Sequence, residues 1–104
     1  MKNLDPIFCA GLAILSHAAL MSPLHAGELS RGAMLSASCE GCHGTDGHSP
    51  GSIPSIAGKN ADYIKLAMQD FRSGVRKSTV MGRHMKGYTE EEIVLIAEYL
   101  GQRK

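Results

Sequence analysis

Cys39-Glu40-Gly41-Cys42-His43 decides how this chain is read. The spacing C-x-x-C-H is the attachment signal for c-type haem. Two thiols three residues apart can each add to one vinyl group of a porphyrin, fixing the macrocycle to a single turn of backbone. The next residue, His43, then reaches the iron with an imidazole nitrogen. Two other chemistries use cysteines at this spacing. A redox dithiol belongs in a βαβ context, and no strand pattern surrounds these residues. A zinc site wants a second ligand pair, for which only His48 and His84 remain. The reading favoured here is one covalently attached haem c, with its iron.

The composition agrees. The 104 residues carry 11 Lys+Arg against 10 Asp+Glu, a formal charge of +1, with no Trp and only five aromatics. One domain is the most that such a length supports. Near-neutral charge excludes a generally basic nucleic-acid binder. So little bulky apolar material leaves a small domain in need of a metal, a disulfide or a cofactor. A bound porphyrin supplies the missing apolar surface.

Upstream, no charged side chain occurs from Pro6 to Gly27, and Ile7–Leu15 is a compact apolar run behind Met1 and Lys2. This pattern predicts a signal peptide over residues 1–26, with a small-residue exit at Ala26. The run is shorter than the roughly 20 residues of a bilayer span. A retained membrane anchor is the competing reading, because Asp5 and Leu24 are unusual in a cleaved leader. Cleavage leaves residues 27–104 as a single periplasmic domain with no membrane span. Cys9 leaves with the leader, so Cys39 and Cys42 are the only cysteines of the mature chain.

The sixth iron position needs a second ligand, commonly the thioether of Met in electron carriers. Met34, Met68, Met81 and Met85 follow the leader. Met34 lies beside the attachment turn and Met68 reads as core. Met81 and Met85 lie in a glycine-containing loop before the last helix, where the chain can bend across the distal face. Met81 is the first candidate, with Met85 and His84 as alternatives.

Three helices are predicted. The first runs from Ser30 as N-cap into the attachment turn. Gly44 to Lys59 reads as loop, with Ile53 and Ile56 as apolar contacts and His48 exposed. The second helix starts at Asn60 and ends at Ser73, before Gly74. Tyr63, Ala67 and Phe71 recur on one face, flanked by Ile64 and Met68. Thr89-Glu90-Glu91-Glu92 is a capping box for the third. Ile93, Leu95, Ile96, Tyr99 and Leu100 form its buried side, and Gly101 ends it. The expected fold is all-α, about three helices and their loops wrapped around one haem.

With these residues in place, the chain resembles small monohaem cytochromes c over nearly all of 28–102. That resemblance implies a crossing of the first and last helices at Gly32 and Tyr99. It also implies that the carbonyl of Pro54 holds the second nitrogen of His43. The segments 38–47, 52–58, 61–64, 78–83 and 86–89 are similar to the cytochrome subunits of flavocytochrome c sulfide dehydrogenases. In those subunits the Met of a Thr-x-Met-x-Arg stretch is the distal ligand, which here implies Met81. Some members carry two haems; one motif here resembles the single-haem kind.

The resemblance implies a heterodimer in which a flavoprotein sulfide dehydrogenase subunit oxidises sulfide. This chain then relays electrons to a soluble cytochrome acceptor and is not itself a catalyst. A freestanding shuttle is the alternative, and a haem enzyme or gas sensor needs an open distal position. Arg72, Arg76, Lys77, Arg83 and Lys86 fall within fifteen residues without an intervening acid. They form either a steering patch for an acidic partner or a solvated rim.

Overall fold

The computed structural model describes residues 23–104, and every regular element in that range is helical. Four α-helices occur: α1 (Pro23–His43), α2 (Ala61–Ser73), α3 (Met81–Met85) and α4 (Glu90–Gly101), with a 3-10 turn at Thr45–Gly47. The all-α expectation holds. The leader expected over residues 1–26 lies, up to residue 22, outside the described residues.

Two predicted boundaries differ. Helix α1 is already helical at Pro23, the first described residue, so Ser30 does not cap it. Ser30 is a helix-interior residue that donates its hydroxyl proton to the carbonyl of Ala26 at 2.9 Å. The stretch expected as a loop before the last helix contains the short helix α3. Its first turn is tied down by Ser78, whose Oγ accepts from the amide of Gly82 at 2.8 Å.

The other two helices start where expected. Asn60 Oδ1 accepts from the Tyr63 amide at 2.8 Å, and Gly74 closes α2 in the left-handed region. At α4, Thr89 Oγ1 accepts from the Glu92 amide at 3.2 Å. Glu92 Oε2 accepts from the Thr89 amide at 2.9 Å, completing the capping box. Glu90, Glu91 and Glu92 also meet the positive end of the helix dipole.

The core forms where α2, α3 and α4 converge. Ile64, Met68, Met85, Ile93, Ile96, Ala97 and Leu100 are buried together, and Leu35 of α1 packs against them. On α2 the buried stripe is centred on Ile64 and Met68, whereas Tyr63, predicted on that face, is 49% exposed. The stripe is rotated because α4 and α3 both approach the Ile64–Met68 side. A corner of polar contacts closes the bundle. Arg72 donates to the carbonyl of Tyr88 at 3.2 Å and lies 3.4 Å from the carboxylate of Glu90.

Helix α1 crosses α4 at Gly32. A Cβ built there lies 2.6 Å from the carbonyl oxygen of Leu95 and 2.9 Å from the Cβ of Tyr99. Only a residue without a side chain lets the two backbones approach this closely. Arg31, next to the crossing, reaches Glu91 at 2.9 Å and Glu92 at 3.8 Å. These pairs are exposed and set orientation more than stability. The Gly32–Tyr99 crossing implied by the resemblance is therefore present.

Gly32→Ala forces apart the helix that carries the attachment turn. We expect a loss of about 1–3 kcal/mol, the range for overpacking a tight contact. Denaturant melting of the holoprotein checks this. Ser30→Ala, at an exposed helix-interior position, should stay within about 0.5 kcal/mol of the parent.

Candidate functional site

The last turn of α1 holds Cys39, Cys42 and His43. Cys39 is half-buried and Cys42 exposed, and the two do not form a disulfide. Burial pushes the Cys39 thiol above the usual cysteine range, partly offset by a hydrogen bond from Ser38. The helix ends at His43, where the Gly44 amide still donates to the carbonyl of Glu40 at 3.0 Å.

Beyond His43 the chain reverses twice. Gly44 and Gly47 have φ of +86° and +79°, and Asp46 between them is also left-handed at +56°. Gly47 is buried, and a Cβ there lies 3.0 Å from the Ala57 amide nitrogen. Its carbonyl accepts from the amides of Ile56, at 2.9 Å, and Ala57, at 3.1 Å. The amide of Ser49 donates to Ser55 Oγ at 2.8 Å across the same loop. These bonds fold residues 48–57 back toward the end of α1.

The result is the central feature of the site. His43 Nδ1 lies 2.6 Å from the carbonyl oxygen of Pro54. A carbonyl only accepts, so Nδ1 carries the proton and donates it. The imidazole is thereby fixed as the tautomer whose Nε2 lone pair is free for a metal. An outer acceptor of this kind also orients the ring and raises ligand basicity. Proline suits the position because its carbonyl remains a strong acceptor while its ring restrains the loop. The proximal contact implied by the resemblance is present, residue for residue.

The methionines separate by burial. Met85 is 3% exposed and belongs to the core cluster with Ile64, Met68, Ile93 and Ile96. Met68 is core as expected, and Met34 is 78% exposed on α1. Met81 opens α3, is partly exposed and only borders the cluster. Its thioether is therefore available where that of Met85 is already enclosed by protein. His84 is exposed on the same short helix.

The donor set fits a haem iron and fits other metals poorly. Among the described residues no group of three or more His, Cys, Asp or Glu comes together to hold a metal ion. Cys39, Cys42 and His43 therefore do not form even the start of a zinc site with His48 or His84. Exposed apolar side chains adjoin the Pro54 acceptor and Met81 in the chain. Ile53 precedes Pro54 and Val80 precedes Met81, at 42% and 52% exposure. An imidazole oriented through Nδ1 beside two cysteines at this spacing suits a covalent haem.

Several residues of the site were not predicted. Asp46, Arg103 and Lys104 all contact the proximal segment. Arg103 pairs with Asp46 and lies 3.9 Å from Glu40, and its guanidinium also donates to the hydroxyl of Tyr99. His48, expected as a free loop residue, is exposed but its Nε2 lies 3.3 Å from the carbonyl oxygen of Lys104. The distances along the chain are too long for any periodicity to show these contacts. A left-handed aspartate between two glycines was the available hint.

Comparison with known proteins gives the same answer. The family model for cytochrome c matches residues 29–104. The chain is 67% identical over 72 residues to the cytochrome subunit of sulfide dehydrogenase of Chlorobaculum tepidum, covering 69% of this chain and 66% of that protein. It is 32% identical over 95 residues to a cytochrome c4 of Pseudomonas aeruginosa, covering 90% of this chain and 44% of that one. It is 31% identical over 83 residues to cytochrome c-554(548) of Halomonas halodenitrificans, covering 76% of this chain and the whole of that protein. The chain thus spans just under two thirds of the Chlorobaculum protein and less than half of the Pseudomonas one. An oriented proximal histidine beside two thiols and a family match over the same residues lead to one conclusion: this chain belongs to the cytochrome c family, whose function is electron transfer by a covalently bound haem c.

Proposed function

We propose that this chain is the haem subunit of a periplasmic sulfide dehydrogenase. It receives electrons from a flavin-bearing subunit and passes them to a soluble cytochrome or another acceptor. The observation that carries this reading is the 67% identity with the Chlorobaculum cytochrome subunit. The apolar run Ile7–Leu15 supports export. Among the described residues no helix is long and apolar enough to cross a membrane.

Bound haem c supplies a one-electron iron couple. The chain's own residues attach and tune it. Cys39 and Cys42 are the thioether residues. His43 binds through Nε2 while Nδ1–H remains on the Pro54 carbonyl, which favours ferric iron by strengthening the imidazole as a donor. Met81 binds through its sulfur and works the other way, since a thioether favours ferrous iron. Met85 stays in the core and fills space, as its flexible side chain suits. The sulfur chemistry belongs to the partner, because both mature cysteines are committed to the haem.

The surface beside Met81 supports docking to an acidic partner. Arg72, Arg76, Lys77 and Lys86 line a groove of about 250 Å³ that also contains Gly82 of α3. Arg76, Lys77, Arg83 and Lys86 have no carboxylate at ion-pair distance among the described residues. Arg76 is held over the Phe71 ring, 4.8 Å from its centroid. The three uncompensated cations that line this groove, Arg76, Lys77 and Lys86, raise the encounter rate with an acidic surface. One observation favours a second reading, a freestanding shuttle: the chain spans the whole of the Halomonas cytochrome.

Two measurements test these assignments. Met81→Ala should abolish the methionine–ferric iron absorption band, and Met85→Ala should keep it while lowering stability by about 2–5 kcal/mol. The reverse pattern reassigns the distal ligand. Purification of the tagged chain from its own host at low ionic strength should recover haem and flavin absorbance together, separating at high salt. Recovery of the haem chain alone already at low salt supports the freestanding shuttle instead.

A further inference from the structure

Arg103 gathers more of the proximal segment than any residue within it. Its guanidinium pairs with Asp46, three residues after His43, and approaches Glu40, three residues before it, at 3.9 Å. It also donates to the hydroxyl of Tyr99 and stacks on that ring, 5.0 Å from the centroid. The backbone joins in. The carbonyl of Arg103 accepts from the Gly58 amide at 3.2 Å, and its own amide donates to Leu100 at 3.1 Å. The side chain is only a quarter exposed.

These contacts bracket the proximal loop. Glu40 lies between the two cysteines, Asp46 at the strained turn, and Gly58 at the end of the strand of chain that carries Pro54. All three are tied to one residue, which is itself anchored through Tyr99 to the α1–α4 crossing at Gly32. The left-handed Asp46 is an uncommon conformation for a residue with a side chain. Its carboxylate on Arg103 helps to hold it there. A planar guanidinium can serve several acceptors at once in fixed directions, which a lysine ammonium cannot.

We propose that Arg103 is the positioning residue for His43. By fixing Glu40, Asp46 and Gly58 in one arrangement, it keeps the Pro54 carbonyl on His43 Nδ1. It touches neither the haem nor His43. Its effect reaches the iron through the loop, and the proposal rests on the reading of His43 as the proximal ligand.

The experiment uses reduced holoprotein and follows solvent exchange of the His43 Nδ1–H proton by NMR, together with the midpoint potential. Carbon-bound His43 ring protons shifted far upfield by the porphyrin ring current establish the proximal reading by themselves, and unshifted ones defeat it; with that reading established, an unprotected Nδ1–H in the parent protein defeats the proposal. In Arg103→Ala this proton should exchange about tenfold faster, as should the Ile56 and Ala57 amides, for loss of a charged hydrogen-bond set. The potential should rise, because a loosened Pro54 contact leaves His43 a weaker donor. Arg31→Ala, which removes ion pairs elsewhere on α1, should leave the ring proton and the potential at parent values. A lowered melting temperature with unchanged ring-proton exchange overturns the proposal and leaves Arg103 a general clamp. If Arg103→Ala yields no holoprotein, Asp46→Asn decides by the same two readouts, since asparagine tolerates the left-handed conformation.

Discussion

The hydrogen bond from His43 to Pro54 is the constraint around which the molecule is arranged. A histidine that ends a helix is free to rotate and to exchange tautomers. Here a carbonyl at 2.6 Å restrains both freedoms and leaves Nε2 free to bind a metal. That carbonyl lies eleven residues on, in a segment with no regular structure of its own. Its placement depends on two reversed glycines, the doubly bonded carbonyl of Gly47 and the contacts made by Arg103. The helices serve the same end. The α1–α4 crossing at Gly32 sets where the attachment turn begins, and Tyr99 at that crossing also receives Arg103.

The division of charge follows the division of labour. Acidic residues concentrate at the start of α4, where they cap the helix and face Arg31 and Arg72. Arg76, Lys77 and Lys86, without carboxylate partners among the described residues, line a groove between the end of α2 and Gly82 of α3. The net charge of +1 hides this asymmetry. A small electron carrier can therefore be nearly neutral overall and still present a positive face to a partner.

Local patterns made much of this legible. The cysteine spacing named the cofactor because two thiols and a histidine at that interval suit little else. The capping box at Thr89 and the cap at Asn60 marked two helices because both depend on side-chain to backbone bonds within three residues. The start of α1 was misread because Ser30 can either cap a helix or sit inside one, donating back to Ala26. Helix α3 was missed because five residues carry too little periodicity. Arg103 was invisible for a different reason: its partners Glu40 and Asp46 are about sixty positions away, and only the folded chain brings them together. The Pro54 and Gly32 contacts were expected through family resemblance, not through any rule of spacing.

The central claim is that Cys39 and Cys42 tie an iron porphyrin to this chain by thioether bonds, with His43 aimed at the metal. Intact-mass measurement of the denatured chain, matured in its own host, tests it most directly. The account predicts the peptide mass increased by one haem that denaturation and acid extraction do not remove. A chain that runs at its bare peptide mass, with both thiols open to alkylation, contradicts it.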